Sequence, residues 1–214
     1  MNSVRQIVFS ERENWHIPWC HDEQTLGNAL VELDAVRNEQ EDIPLLIQLM
    51  ENPRYSMPGV TWFHGRVDLQ QHDCIHILLG RGLLSKDEAF VIGFTMGSSG
   101  TRSSAEESAF CTVARHLYPG VYRFDDEDIA VFKDALRLAQ IVRPAVLDSF
   151  DFQPWMNRPL KDLRHHVGLD TDLITAYYRC EQKRYPADPA SRRLLTDANG
   201  SASSLENSIE SPAR

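Results

Sequence analysis

The chain has 214 residues, of which 42% are hydrophobic and 25% are charged, and its formal net charge is −9. A chain of this length and composition can bury the core of one globular domain. The acidic balance, without a basic patch, argues against a nucleic-acid partner and against purely electrostatic docking on anionic lipid.

The compartment is predicted from the N-terminus and the cysteines. Residues 1–13 carry Arg5, Glu11, Arg12 and Glu13 and lack the apolar segment of a secretory signal. No stretch of the sequence approaches the roughly 20 apolar residues that a membrane span needs. The four cysteines form no C-x-x-C pair, which favours reduced thiols. We therefore expect a cytoplasmic protein, and peripheral contact with the inner membrane through apolar insertion stays open.

Apolar residues recur with a helical period throughout residues 1–185. The first predicted helix covers 23–37 and places Leu26, Leu30, Leu33 and Val36 on one stripe. Short extended pieces at 4–9 and 121–124 would not make a sheet, so the predicted fold class is all-α. The remaining predicted helices cover 43–50, 67–79, 85–96, 104–118, 125–142, 160–167 and 172–184.

Two local signals mark helix ends. Gly80 follows the helix predicted over 67–79 and is a typical stop residue. The acidic run from Asp125 to Asp128 opens the helix predicted over 125–142, where carboxylates interact favourably with the helix dipole. A structural role therefore explains this run better than a cation site does.

The C-terminal segment differs in composition from the rest of the chain. Residues 186–214 are rich in Ala, Ser, Asp, Asn and Pro, and their few large aliphatic residues follow no sustained period. Such a segment buries too little apolar surface to fold. We predict one helical domain over 1–185 and a disordered tail over 186–214.

The segment over residues 71–90 carries the most informative pattern. His72 and His76 stand four residues apart, so on a helix both imidazoles leave the same face. Asp73 lies on the flank of that face. Divalent cations such as Zn²⁺ accept this mixture of nitrogen and oxygen ligands, as do Fe²⁺, Mn²⁺ and Co²⁺.

Glu88 is the candidate for a fourth ligand. The helix that carries it starts a few residues after Gly80, which is close enough for an antiparallel hairpin. Glu88 would then lie beside the last turn of the preceding helix. A second role competes with this one, because Ser85 and Glu88 form an S-x-x-E capping box in which the carboxylate binds the backbone. His72 and His76 could likewise be ordinary hydrogen-bonded helix histidines.

The motif H-D-x-x-H, followed by eleven residues and E, resembles that of the coenzyme Q biosynthesis protein 4 family. The spacing from His72 to Glu88 matches completely, and the resemblance extends over roughly residues 60–100. It implies that His72, Asp73, His76 and Glu88 bind a divalent metal, usually zinc. It further implies an all-helical fold that binds prenyl lipid and works on prenylated quinone precursors. The activity associated with the family is oxidative decarboxylation at C1 of the ring.

Three functions stay open at this point. In the first, the protein is a metal-dependent enzyme of ubiquinone or related prenyl-lipid biosynthesis, whose metal acts near a ring carboxylate. In the second, it is a non-catalytic lipid-binding scaffold of a biosynthetic complex. In the third, it is a metal-dependent hydrolase, for which Asp73 is a short and poorly placed base. The expected partners are a prenylated quinone precursor or another hydrophobic small molecule, together with a second copy of the chain or a biosynthetic complex.

A further group of polar residues lies near the N-terminus. The segment WHIPWCHD, residues 15–22, contains two histidines, a cysteine and an aspartate, but Pro18 interrupts any helix there. We expect this segment to be an aromatic flap that packs on the core rather than a metal cluster.

Overall fold

The computed structural model describes residues 15–37, 69–100, 104–116 and 123–195 of the chain. Eight α-helices lie in these ranges, and no β-strand does, so the predicted all-α fold class is confirmed. Within the described ranges, no helix combines the length and the apolar character that crossing a bilayer requires. The helices are α1 (Leu26–Arg37), α2 (Leu69–Leu79), α3 (Ser85–Ser98), α4 (Ser104–His116), α5 (Asp126–Val142), α6 (Leu160–His166), α7 (Thr171–Arg184) and α8 (Pro189–Arg193).

The helix ends follow the signals that the sequence displays. Gly80, directly after α2, has a φ of 64°, in the left-handed region that favours glycine. The Asp125 carboxylate accepts hydrogen bonds of 2.8 Å from the N–H groups of Glu127 and Asp128, so the acidic run caps α5 as predicted. Two predicted segments lie outside the described residues, namely the helix over 43–50 and the extended piece over 4–9.

α3 occupies the centre of the fold and packs along α5. Two glycines on the facing side of α3 make this contact close. A Cβ atom on Gly93 would overlap the carbonyl oxygen of Phe132, and one on Gly97 would overlap that of Leu136. Since interiors are close-packed, a side chain at either position would force the two helices apart.

The N-terminal aromatic segment packs on the core, as expected from its sequence. Ile17 is 2% exposed, and Trp15 and Trp19 are 9% exposed. The buried guanidinium of Arg164 lies over the Trp19 ring and donates to the backbone carbonyls of Trp19 and of Leu78 at the end of α2. This segment therefore supports the end of the helix that carries the two motif histidines.

The start of the predicted C-terminal tail is wrong. Residues 186–195 belong to the folded domain, and α8 lies among them with Asp188 as its N-cap. Ala190 and Leu194 are each 1% exposed, and the Arg193 guanidinium forms an ion pair with Asp87 at the start of α3. The composition of this segment is typical of disorder, but ion pairs with residues far away in the sequence stabilise it. Such pairs leave no local pattern in the sequence. Residues 196–214 of the predicted tail lie outside the described residues.

Candidate metal centre

α2 presents the two motif histidines on one face, as their spacing predicts. The side chain of His76 is fully buried, and that of His72 is 14% exposed. Their ring centroids are 4.6 Å apart, with an angle of 72° between the ring planes. α2 ends one turn beyond His76, and α3 begins at Ser85 after a short connection.

Glu88 faces the two histidines rather than the backbone of its own helix. Its Oε2 atom lies 3.0 Å from Nε2 of His72. The predicted capping box of Ser85 and Glu88 is wrong, because α3 begins one residue earlier, with Leu84 as its N-cap. The carboxylate that accepts the N–H of Leu84 is that of Asp87, at 3.2 Å. The Glu88 side chain is therefore available to bind a metal ion.

The three side chains meet in a small triangle of atoms. Nε2 of His72 lies 2.9 Å from Nε2 of His76, and Nε2 of His76 lies 3.3 Å from Oε2 of Glu88. With the 3.0 Å between His72 and Glu88, all three atoms are in mutual contact. No second group of this kind, with metal-binding atoms from three residues so close together, occurs in the described part of the chain.

Hydrogen bonds alone do not satisfy this triangle. Each Nε2 carries either one hydrogen or one lone pair, and an ionised carboxylate only accepts. The contact between His72 and His76 needs one hydrogen and one lone pair, whereas both contacts with Glu88 need a hydrogen on the imidazole. At most two of the three contacts can therefore be hydrogen bonds at once. A cation between the three atoms would attract all of them.

The dimensions of the triangle suit a metal ion. With metal–ligand distances of about 2.1 Å, neighbouring ligand atoms are about 3.0 Å apart in an octahedral shell and about 3.4 Å apart in a tetrahedral one. The three observed separations, from 2.9 to 3.3 Å, lie close to this interval. Two imidazole nitrogens and one carboxylate oxygen form a donor set that suits zinc, iron, manganese and cobalt.

The charge state of Glu88 also suits a ligand. Burial by itself would raise the pKa of this carboxyl group, but the charges and hydrogen bonds of His76 and His72 outweigh it and hold the pKa well below its usual range. Glu88 is therefore a carboxylate at neutral pH. Its side chain is 28% exposed, so the site opens to solvent on the side of Glu88 and His72.

Asp73 stands apart from this group. It is 4% exposed on α2, but its carboxylate is not among the atoms that converge within 4.8 Å of one another. The structure thus brings together three of the four predicted ligands. The i, i+1 step from His72 turns the Asp73 side chain to the flank of the helix, and its role as a ligand stays a prediction.

Sequence reasoning missed the buried ionic groups around the turn between α2 and α3. Arg81 is fully buried and makes two hydrogen bonds, of 2.9 and 2.7 Å, to the carboxylate of Glu181. Its guanidinium lies over the ring of Phe90 and over that of Tyr178. Arg81 and Glu181 are 100 residues apart, so no spacing in the sequence links them. A charged residue inside a Gly-x-Gly turn between apolar helices was the one available signal.

Comparison with known proteins identifies no relative of this chain. No family model matches the chain, and no curated protein or solved structure is detectably similar to it.

Proposed function

We propose that this protein binds a divalent metal through His72, His76 and Glu88, with zinc as the first candidate. The observation that carries the proposal is the triangle formed by Nε2 of His72, Nε2 of His76 and Oε2 of Glu88. Its three contacts cannot all be hydrogen bonds at the same time. Asp73 is the proposed fourth ligand, as the motif resemblance implies. Iron or manganese would fit the same donor set.

The proposed role is in the biosynthesis of ubiquinone or a related prenyl lipid, with a prenylated aromatic acid as substrate. The motif resemblance supports this role, and so does the all-α fold that the resemblance implies. In a five- or six-coordinate shell, three or four protein ligands leave at least one position for a substrate oxygen. A bound metal would supply Lewis-acid polarisation next to the ring carboxylate. His72 and Glu88 border the open side of the site and would orient the ring.

Metal content is the first test. The purified full-length protein should contain about one equivalent of metal by elemental analysis, and His76→Ala should lose it. The matched control is His165→Ala, which removes an exposed histidine from α6. If the parent protein and His76→Ala bind added Zn²⁺ equally weakly, the proposal is wrong.

Turnover separates an enzyme from a scaffold. The metal-loaded protein is incubated with a prenylated hydroxybenzoate and oxygen, and the release of CO₂ is measured together with ligand binding. Multiple turnovers that His76→Ala abolishes support an enzyme that decarboxylates C1. Saturable, stoichiometric binding without turnover supports the lipid-binding scaffold, since a ligand that binds only the folded state also protects against unfolding. Peptide cleavage would instead support a hydrolase.

A further inference from the structure

The first turn of α3, which carries Glu88, is held by side chains from α5 and from the C-terminal segment 188–193. The Ser85 hydroxyl donates to Asp128 on α5 at 2.6 Å. The Lys86 amine, only 3% exposed, donates to Glu127 at 2.7 Å. Asp87, which directly precedes Glu88, is fully buried and forms an ion pair with Arg193. Every residue of this turn before the proposed ligand is therefore attached to another part of the fold.

The C-terminal segment supplies two attachments of this turn and one contact with the buried partner of Arg81. Asp188 accepts a hydrogen bond of 2.9 Å from Lys86, and Arg193 forms an ion pair with Asp87. Ser191 donates at 3.0 Å to Glu181, which is the partner of Arg81. α8 has five residues, too few to be stable as an isolated helix. The helix and the buried charges of the turn therefore stabilise each other.

The position of Arg193 depends on a glycine in the turn. A Cβ atom on Gly82 would overlap the Arg193 guanidinium and the carbonyl oxygen of Trp15. The guanidinium therefore lies directly on the backbone of the turn between α2 and α3. Because it also binds the carboxylate of Asp87, it fixes the start of α3 relative to the end of α2.

We infer that Arg193 and Asp188 are positioning residues, through which the segment 188–193 sets the affinity of the His72, His76 and Glu88 site for its metal. The inference rests on the proposed function of that site. A metal ligand has to be held within a fraction of an ångström of its productive position, and residues outside the ligand set commonly provide this precision. Without Arg193, the buried Asp87 carboxylate loses an ion pair and the first turn of α3 can shift towards water.

The first test compares two neighbouring arginines in the full-length protein. Arg193→Gln removes the ion pair with Asp87, whereas Arg192→Gln makes the same change of charge at an exposed position. Affinity for Zn²⁺ is measured by competition, well below the unfolding midpoint of the metal-free protein, and the visible absorption of bound Co²⁺ is recorded. We expect Arg193→Gln to weaken binding roughly fivefold to tenfold and to change the Co²⁺ spectrum. Arg192→Gln should do neither.

The direction of the effect separates positioning from other roles. Loss of a positive charge would by itself strengthen the binding of a cation. Weaker binding by Arg193→Gln would therefore indicate that Glu88 has moved from its position as a ligand. A merely structural role would lower the unfolding midpoint and leave the affinity and the Co²⁺ spectrum of the folded protein unchanged. Arg193→Lys keeps the charge and should recover part of the affinity. Unchanged or tighter binding by folded Arg193→Gln overturns the inference.

A second pair keeps the inference testable if Arg193→Gln does not fold. Asp188→Asn retains a good N-cap for α8 but removes the charge that faces Lys86. Asp170→Asn makes the same exchange at the N-cap of α7. Weaker metal binding is expected from Asp188→Asn alone, and equal binding by both variants contradicts the inference. If the parent binds metal no better than His76→Ala, the proposed function itself fails, and the inference fails with it.

Discussion

Oε2 of Glu88 lies 3.0 Å from Nε2 of His72, across the turn that joins α2 to α3. The same oxygen lies 3.3 Å from Nε2 of His76. These contacts exclude the capping role that the sequence allows for Glu88, because a carboxylate that faces two imidazoles does not cap its own helix. The cap is instead provided by Asp87, one residue earlier.

Glu88→Gln should separate metal binding from folding. A neutral amide is a much poorer ligand than a carboxylate, so we expect affinity for Zn²⁺ or Co²⁺ to fall at least roughly tenfold. The metal-free variant should keep its helix content, since the new amide side chain can still donate to or accept from the two histidines. Titration with Co²⁺, followed by its visible absorption, measures the affinity, and circular dichroism checks the fold.

The control for this variant is Glu32→Gln, which makes the same exchange at an exposed position on α1. It should bind metal as tightly as the parent protein does. If Glu88→Gln also retains the parent affinity, Glu88 is not a ligand and the match to the family motif is a coincidence of spacing.

Ser85→Ala should cost stability but spare the metal. The Ser85 hydroxyl is not an N-cap; it donates to the Asp128 carboxylate at 2.6 Å. Loss of a hydrogen bond to a charged acceptor costs about 1–2 kcal/mol of unfolding free energy. Urea denaturation measures this cost, with Ser149→Ala as the control, because the exposed Ser149 hydroxyl makes only a 3.5 Å contact with the carbonyl of Val146. Loss of bound metal from Ser85→Ala would contradict this prediction and show that the contact between Ser85 and Asp128 also positions Glu88.

Local pattern predicts the helices and the histidine pair well. The i, i+4 step of His72 and His76 fixes a common face, and Gly80 ends α2 where a left-handed residue is needed. The convergence of Glu88 on that face follows from the short connection between the helices. The capping residue was wrong by one position, since Asp and Glu at the third helical residue are equally able to bind the N-cap N–H.

Tertiary contacts with distant partners could not be predicted in this way. Arg81 and Glu181 pair across 100 residues, and Arg193 and Asp87 across 106. Each of these side chains taken alone is typical of a solvent-exposed face. Their burial arises because the folded chain brings opposite charges together at the turn between α2 and α3, which neither periodicity nor composition reports.

Gly93→Ala should destabilise the contact between α3 and α5. The added methyl group would overlap the carbonyl oxygen of Phe132, so the helices have to separate. Overpacking of this kind costs about 1–3 kcal/mol, although alanine favours a helix over glycine. Gly100→Ala is the comparison, since its Cβ meets nothing within 4 Å and its cost arises from a φ of 71° alone. If Gly93→Ala is as stable as the parent, the two helices do not pack this closely in solution.

Two C-terminal truncations should differ sharply in stability, because the folded domain extends to Leu195. Removal of 196–214 should leave the unfolding midpoint almost unchanged, as expected from the composition of that segment. Removal of 186–214 also deletes Ala190 and Leu194, each 1% exposed, and the Arg193 partner of Asp87. Leu194→Ala alone should cost about 2–4 kcal/mol of unfolding free energy, because the truncated side chain leaves a cavity in the core. Val31→Ala, at a position that is 69% exposed, should cost far less and serves as its control. Equal midpoints for the two truncations would mean that α8 does not pack on the domain, and Arg193 could then not position Glu88.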